Sequence, residues 1–130
     1  MMATDEHRRL IGRWKLESSE NFDAYMKEIG IGSVKRKIAT ATKPIAMLKK
    51  EQWTFTPGQR FIAKTVDGRK FWTTVRLDDG GKATEIQENI DDDQSVCSEI
   101  VRFVDEEDKL NVVCKANGVE ALRKYTRLSN

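Results

Sequence analysis

The sequence predicts a mainly β domain: an up-and-down antiparallel β-barrel carrying an N-terminal helix-turn-helix lid. Three observations point there. After Pro44 nearly every segment reads as a strand. The segments are joined by short turn-forming connections, Pro57-Gly58, Asp67-Gly68, Asp79-Gly80-Gly81 and Asn117-Gly118. The strands carry one apolar face, which suits a meander that closes on itself. A barrel of that size can hold one small ligand in its mouth.

Gly12 to Ser18 alternates and gives a first strand with Trp14 and Leu16 facing in. Asn21 is placed to cap a helix from Phe22 to Ile29, stopped by Gly30. Ser33 caps a second helix to about Thr42, where Val34, Ile38 and Ala41 form a thin apolar stripe opposite Lys35, Arg36 and Lys37; Pro44 ends it. Strands are then expected over Ile45 to Thr56, Arg60 to Val66, Lys70 to Leu77, Lys82 to Glu88 and Ser95 to Val104, followed by a closing hairpin. A two-residue turn at Gly80-Gly81 would pair Val75 with Ile86 and Arg76 with Glu85, leaving a salt-bridged exterior.

The closing hairpin carries the chemistry. Lys109 to Ala116 alternates apolar and polar, Val119 to Tyr125 is a second strand, and Asn117-Gly118 between them suits a type I′ turn. That turn sets Ala116 against Val119, Cys114 against Ala121, Val112 against Arg123 and Leu110 against Tyr125. Cross-strand partners share a face, so Arg123 and Tyr125 stand on the apolar one. A guanidinium there keeps its proton and is costly to bury unpaired, so it wants an anion. An internal carboxylate, a register slip of one, and a ligand would each answer that need.

At 130 residues, 34% charged and 38% hydrophobic, the chain is expected to be one soluble domain spanning residues 1–130. No apolar run approaches the roughly 18 residues that span a bilayer, and the first residues lack the apolar core of a secretory signal. An intracellular, cytoplasmic protein is expected, with Cys97 and Cys114 as reduced structural thiols at no metal-ligand spacing. The net charge of +2 is too small to imply nucleic-acid binding. His7, the single histidine, falls in an N-terminus expected to fray, which removes histidine triads and most general-base schemes. No glycine-rich phosphate loop is present. Neither catalysis, nor a cofactor, nor a metal is expected.

The chain resembles the intracellular fatty-acid-binding proteins, the calycin-type cytosolic carriers of lipids and retinoids. The resemblance rests on Gly12-x-Trp14-Lys15-Leu16, Asn21-Phe22-Asp23-x-Tyr25-Met26, Gly30-Ile31-Gly32, Arg36-Lys37 and Thr42-Lys43-Pro44. It continues through Gly58-Gln59-x-Phe61, Asp67-Gly68-Arg69-Lys70, Leu77-Asp78 with Gly80-Gly81-Lys82, Asp108-Lys109-Leu110, Gly118-Val119 and Arg123-x-Tyr125. It covers nearly the whole chain.

The resemblance implies a monomeric, non-enzymatic carrier binding one long-chain fatty acid or similar amphiphile, with an inward Arg123. Arg123 and Tyr125 would hold the carboxylate, and Val112 and Cys114 share their face. A second arginine, Arg102, would join them if a five-residue loop pairs it with Val112; an even loop would bring Phe103 inward instead. Tyr25 and Met26 would seal the lid or touch the tail. Trp14 reads as core, and Trp53 and Trp72 are unassigned. In the family, basic lid residues, here Lys27, Arg36 and Lys37, meet anionic membranes at about 1 kcal/mol each or form a folded nuclear-import signal. One departure stands out. Pro44 to Asp67 is about fifteen residues short, two strands at ordinary length. The family's ten strands would become eight, with Ile45 to Thr56 as one long strand standing for two. An interaction module that has lost lipid binding is the rival reading.

Overall fold

The computed structural model describes residues 5–48, 57–65, 68–91 and 94–129. It contains eight strands in one antiparallel sheet: β1 Gly12–Glu20, β2 Ile45–Leu48, β3 Phe61–Lys64, β4 Lys70–Leu77, β5 Ala83–Glu88, β6 Glu99–Val104, β7 Lys109–Ala116 and β8 Val119–Arg127. Their order is β2-β1-β8-β7-β6-β5-β4-β3, an up-and-down meander in which β1 wraps round to pair with β8. Among the described residues the count is eight, within the eight to ten strands expected. Among the described residues no pairing joins β2 to β3. The expected strand over residues 45–56 is described only as Ile45–Leu48; its remainder, with Trp53, lies outside the described residues.

Among the described residues there are also three α-helices: α1 Asp5–Arg8, α2 Phe22–Glu28 and α3 Ser33–Ala41. Phe22, Tyr25, Met26 and Ile29 recur at the spacing of one helix face, and α2 lays that face over β7 and β8, burying Tyr25 and Met26. The caps differ from expectation. Asn21 holds φ 62° and donates its side-chain amide to the Glu120 carbonyl (2.9 Å), and Gly32, not Ser33, precedes α3. The stripe of α3 is not packed: Val34 is 71% and Ile38 62% exposed, and Ala39 is the half-buried residue beneath.

The β7–β8 register is the one the hairpin turn demands: Ala116–Val119, Cys114–Ala121, Val112–Arg123 and Leu110–Tyr125. Asn117 and Gly118 take φ of 46° and 79°, the two positive angles of a type I′ turn. The β4–β5 register corrects the sequence reading by one residue. Asp79–Gly81 forms a 3-10 turn, the Asp78 amide donates to the Lys82 carbonyl (2.7 Å), and Leu77 faces Ala83 while Val75 faces Glu85. Because strand side chains alternate, that shift moves Glu85 from the exterior to the inside. Arg76 pairs instead with Asp78 (2.6 Å), which holds the Asp78 carboxyl below its usual range.

Two packed clusters fill the interior. Leu10, Trp14, Leu16, Leu77, Ala83, Leu110 and Tyr125 form one, confirming Trp14 as core at 0% exposure. The other, Tyr25, Met26, Cys114, Ala116 and Ala121, lies under the lid. Trp72 stands outside, with the Arg60 guanidinium 4.1 Å above its ring. His7 overturns the expectation of a frayed N-terminus. It is 3% exposed, and its Nε2 lies 2.8 Å from the Asp78 carbonyl and 3.2 Å from that of Lys82, pinning α1 to the β4–β5 turn.

Candidate functional site

The hairpin places Arg123 on the inner face of β8, where it is 9% exposed. Its Nε is buried and has no hydrogen-bond partner among the described residues. The Phe22 ring of α2 covers the guanidinium at 3.9 Å, and the Tyr125 ring lies 6.0 Å from it. A space of about 420 Å³ opens beside Arg123, between Leu16 and Ser19 of β1, Phe22 of α2, and Ala39 and Thr40 of α3. Burial pushes the Tyr125 phenol above its ordinary range, opposed by the Arg123 charge, so the hydroxyl stays a neutral donor.

Arg102 pairs with Val112 across β6–β7, and Val112 with Arg123 across β7–β8, so the two arginines stand level on the inner face. Val104 pairs with Leu110, so five residues, 105–109, separate the last pair, as this register needs. Phe103 points outward, where the Lys82 ammonium sits 5.3 Å from its ring. Arg102 differs from Arg123 in having a partner: its Nη1 donates to Glu85 Oε1 at 3.2 Å. Cys114 lies one inward position along β7 from Val112, its thiol pushed up to about 11 by burial.

A second cavity of about 600 Å³ lies beneath the lid, with Met26, Ile29, Ile31, Ile38 and Ile100 among its apolar lining. Its polar wall is a connected set. The Tyr25 hydroxyl and Ser98 Oγ are 2.6 Å apart, the Ser98 amide donates to Gln87 Oε1 (2.9 Å), and the Gln87 amide returns a bond to the Ser98 carbonyl (3.1 Å). Burial raises the Tyr25 phenol, partly offset by the Ser98 bond. At the rim Arg69 donates to the Ile29 carbonyl (2.8 Å), tying the β3–β4 turn to the end of α2. The volume falls within the roughly 300–1,000 Å³ of small-molecule pockets. Ala39 lines both this cavity and the space beside Arg123.

The structure thus brings Arg123, Tyr125, Arg102, Val112, Cys114, Tyr25 and Met26 to one interior. Glu85, Gln87, Ser98 and Arg69 also belong to it, and sequence reasoning missed them. The signal for Glu85 was Leu77 opposite Ala83 across a five-residue turn, an apolar match as good as Val75 with Ile86. Of the basic lid residues, Lys27 and Lys37 are exposed. Arg36 is engaged inside the lid, with its Nε 3.1 Å from Asp23 Oδ1 and its Nη1 donating to the Ile31 carbonyl at 2.6 Å.

Comparison with known proteins agrees with this architecture. Residues 11–128 match the model of the lipocalin / cytosolic fatty-acid binding protein family. The chain belongs to that family. The sodium/calcium exchanger regulatory protein 1 of Doryteuthis pealeii is 38% identical over 142 residues, covering 98% of this chain and 99% of that protein. That alignment is longer than the 130-residue chain, so at least 12 of its columns are gaps here, in keeping with a missing hairpin. Fatty acid-binding protein homolog 5 of Caenorhabditis elegans is 35% identical, covering 92% of this chain and 96% of its own. Among solved structures, apo lipid binding protein 8 of Caenorhabditis elegans superposes with a TM-score of 0.85 at 27% identity, over 98% of this chain and all of that one (100%). A Schistosoma mansoni fatty acid binding protein in complex with arachidonic acid gives 0.81 at 29% identity, over 95% and 99%. In this member of the family, no helix among the described residues is long and apolar enough to cross a membrane.

Proposed function

We propose that this protein is an intracellular, monomeric carrier that holds one long-chain fatty acid non-covalently and releases it to membranes or nuclear partners, catalysing nothing. The observation that carries the reading is Arg123: a cation 9% exposed whose Nε has no hydrogen-bond partner among the described residues. A permanently charged guanidinium in that position is costly unless an anion meets it. A carboxylate answers the need with a charge-assisted bond, and Tyr125 adds a neutral donor. The tail then runs toward the cavity below α2, against Met26 and the isoleucines. Family membership and the arachidonic acid complex of the Schistosoma mansoni neighbour support the same ligand class.

For release, α3 presents Val34 and Ile38 to solvent beside Lys35 and Lys37, with Lys27 on α2. An apolar pair framed by cations suits transient contact with an anionic bilayer. The same basic residues, with Arg36, are the candidates for nuclear import.

Titration with a fluorescent fatty acid tests the binding reading, together with mass spectrometry of lipid extracted from protein purified without delipidation. Saturable one-to-one binding and a co-purifying fatty acid are expected. A monodisperse, folded protein that binds none would overturn the reading. Faster transfer to anionic than to zwitterionic vesicles, slowed in Lys27→Glu and Lys37→Glu, is the expected sign of membrane delivery; equal rates would remove it.

A further inference from the structure

Glu85 is the one carboxylate lining the cavity beneath the lid among the described residues. It faces inward because β4 and β5 join through a five-residue turn. Its Oε1 accepts from Arg102 at 3.2 Å, the two side chains being 24% and 30% exposed. The lysines of the same cavity, Lys35 and Lys64, stand exposed at its rim, and Arg69 is bonded to the Ile29 carbonyl. The pair therefore divides the interior. Arg102 already has an anion, whereas Arg123 keeps a buried Nε without a hydrogen-bond partner among the described residues.

That division bears on the cargo. A ligand carboxylate at Arg102 must compete with Glu85, so the head group is directed to Arg123. The remainder of the ligand then lies against Glu85, Gln87 and Ser98. A plain methylene chain there strips water from a half-buried ion pair and returns no bond, which costs free energy. An ionised carboxylate only accepts hydrogen bonds. A hydroxyl on the chain would donate to Glu85 and offer its oxygen to Arg102. Sites with polar groups to satisfy discriminate against analogues lacking the matching hydroxyl.

We propose that the preferred cargo is a long-chain acid bearing a hydroxyl partway along its chain, its carboxylate at Arg123 and its hydroxyl on the Glu85–Arg102 pair. This rests on the carrier reading above and names its ligand class.

The test measures affinities of mid-chain hydroxylated acids and of the unsubstituted acid of equal length. They are compared in wild type, in Glu85→Gln, and in the paired replacement Glu85→Leu with Arg102→Leu, which removes both charges together and so avoids stranding one. In wild type the best hydroxy acid should bind about fivefold more tightly than its parent, the worth of one ordinary hydrogen bond. The paired replacement should reverse that order, and Glu85→Gln should fall between. Arg123→Leu should weaken both acids alike. Equal affinities in wild type, or a preference that survives the paired replacement, would overturn the proposal while leaving the carrier intact. If neither acid binds to folded wild type, the carrier reading itself fails and takes this one with it.

Discussion

Phe22 roofs Arg123: the guanidinium carbon sits 3.9 Å from the ring centroid, inside a site only 9% exposed. A cation over an aromatic face gains about 0.5–2 kcal/mol. The Nε of Arg123 still has no hydrogen-bond partner among the described residues. The lid helix thus covers the charge without neutralising it.

Arg123→Leu should therefore weaken fatty-acid binding more than tenfold while leaving the protein folded, with a thermal midpoint equal to or above wild type. Apolar replacement of a buried charge is often neutral or stabilising. Fluorescent-ligand titration and a melting curve read the two effects separately. Unchanged affinity would discard the carboxylate role, and a variant unable to fold would point to a structural ion pair. The methyl ester of the ligand should bind worse than the acid in wild type and nearly equally in the variant.

Arg69 bridges the β3–β4 turn to the carbonyl of Ile29, the residue just after α2, at 2.8 Å. Breaking that bond should make opening easier at the rim of the cavity that Arg69 lines. Arg69→Ala is expected to raise ligand association and dissociation rates together, severalfold, with little change in equilibrium affinity. Stopped-flow exchange measures both rates. A change confined to dissociation would instead make Arg69 a ligand contact.

The Cys114 thiol, pushed up to about 11 from 9.0 by burial, gives a pH prediction. Between these values the unfolded chain has lost the thiol proton and the folded chain still holds it, so stability falls as pH rises from about 9 to 11. The phenols of Tyr25 and Tyr125, also raised by burial, act in the same direction. Urea midpoints across this range should decline, and less steeply in Cys114→Ala. At neutral pH, alkylation should reach half-buried Cys97 before Cys114. Preferential labelling of Cys114 in the native state would contradict this.

How much of this was legible in sequence depended on turn chemistry. Asn117-Gly118 admits one tight turn, so the whole β7–β8 register and the inward placement of Arg123 followed from two residues. Gly80-Gly81 looked equally decisive, but the turn spans Asp78 to Lys82, and the one-residue difference hid Glu85 from the interior list. Arg102 needed a choice between loop lengths that local pattern could not make; the family requirement for a second inward arginine favoured the five-residue loop. The partner of Arg102 was invisible because an ion pair between β5 and β6 depends on both registers at once. The stripe of α3 shows the opposite failure. Its periodicity was real, yet among the described residues Val34 and Ile38 stay largely exposed.

His7 was misjudged for a related reason: a four-residue helix has too little pattern to announce itself, and its anchor lies 71 residues away at Asp78. The anchor has a second half in Gly81. Its φ is +79°, and a Cβ there would meet the Glu6 backbone oxygen at 2.9 Å, so only glycine lets α1 dock so closely. Two substitutions test the contact from opposite sides. His7→Ala removes the contacts to the Asp78 and Lys82 carbonyls and leaves the half-buried Asp78 carbonyl without its histidine donor, costing about 1–3 kcal/mol. Gly81→Ala strains the turn and pushes α1 away, at a similar or larger cost. Urea unfolding should show both losses. Because both replacements break one docking contact, the double variant should lose less than the sum of the singles. Full additivity would mean that α1 does not rest on the turn in solution. Fatty-acid affinity should change little in either variant, since α1 packs at the β4–β5 turn and the cavity lies beneath α2.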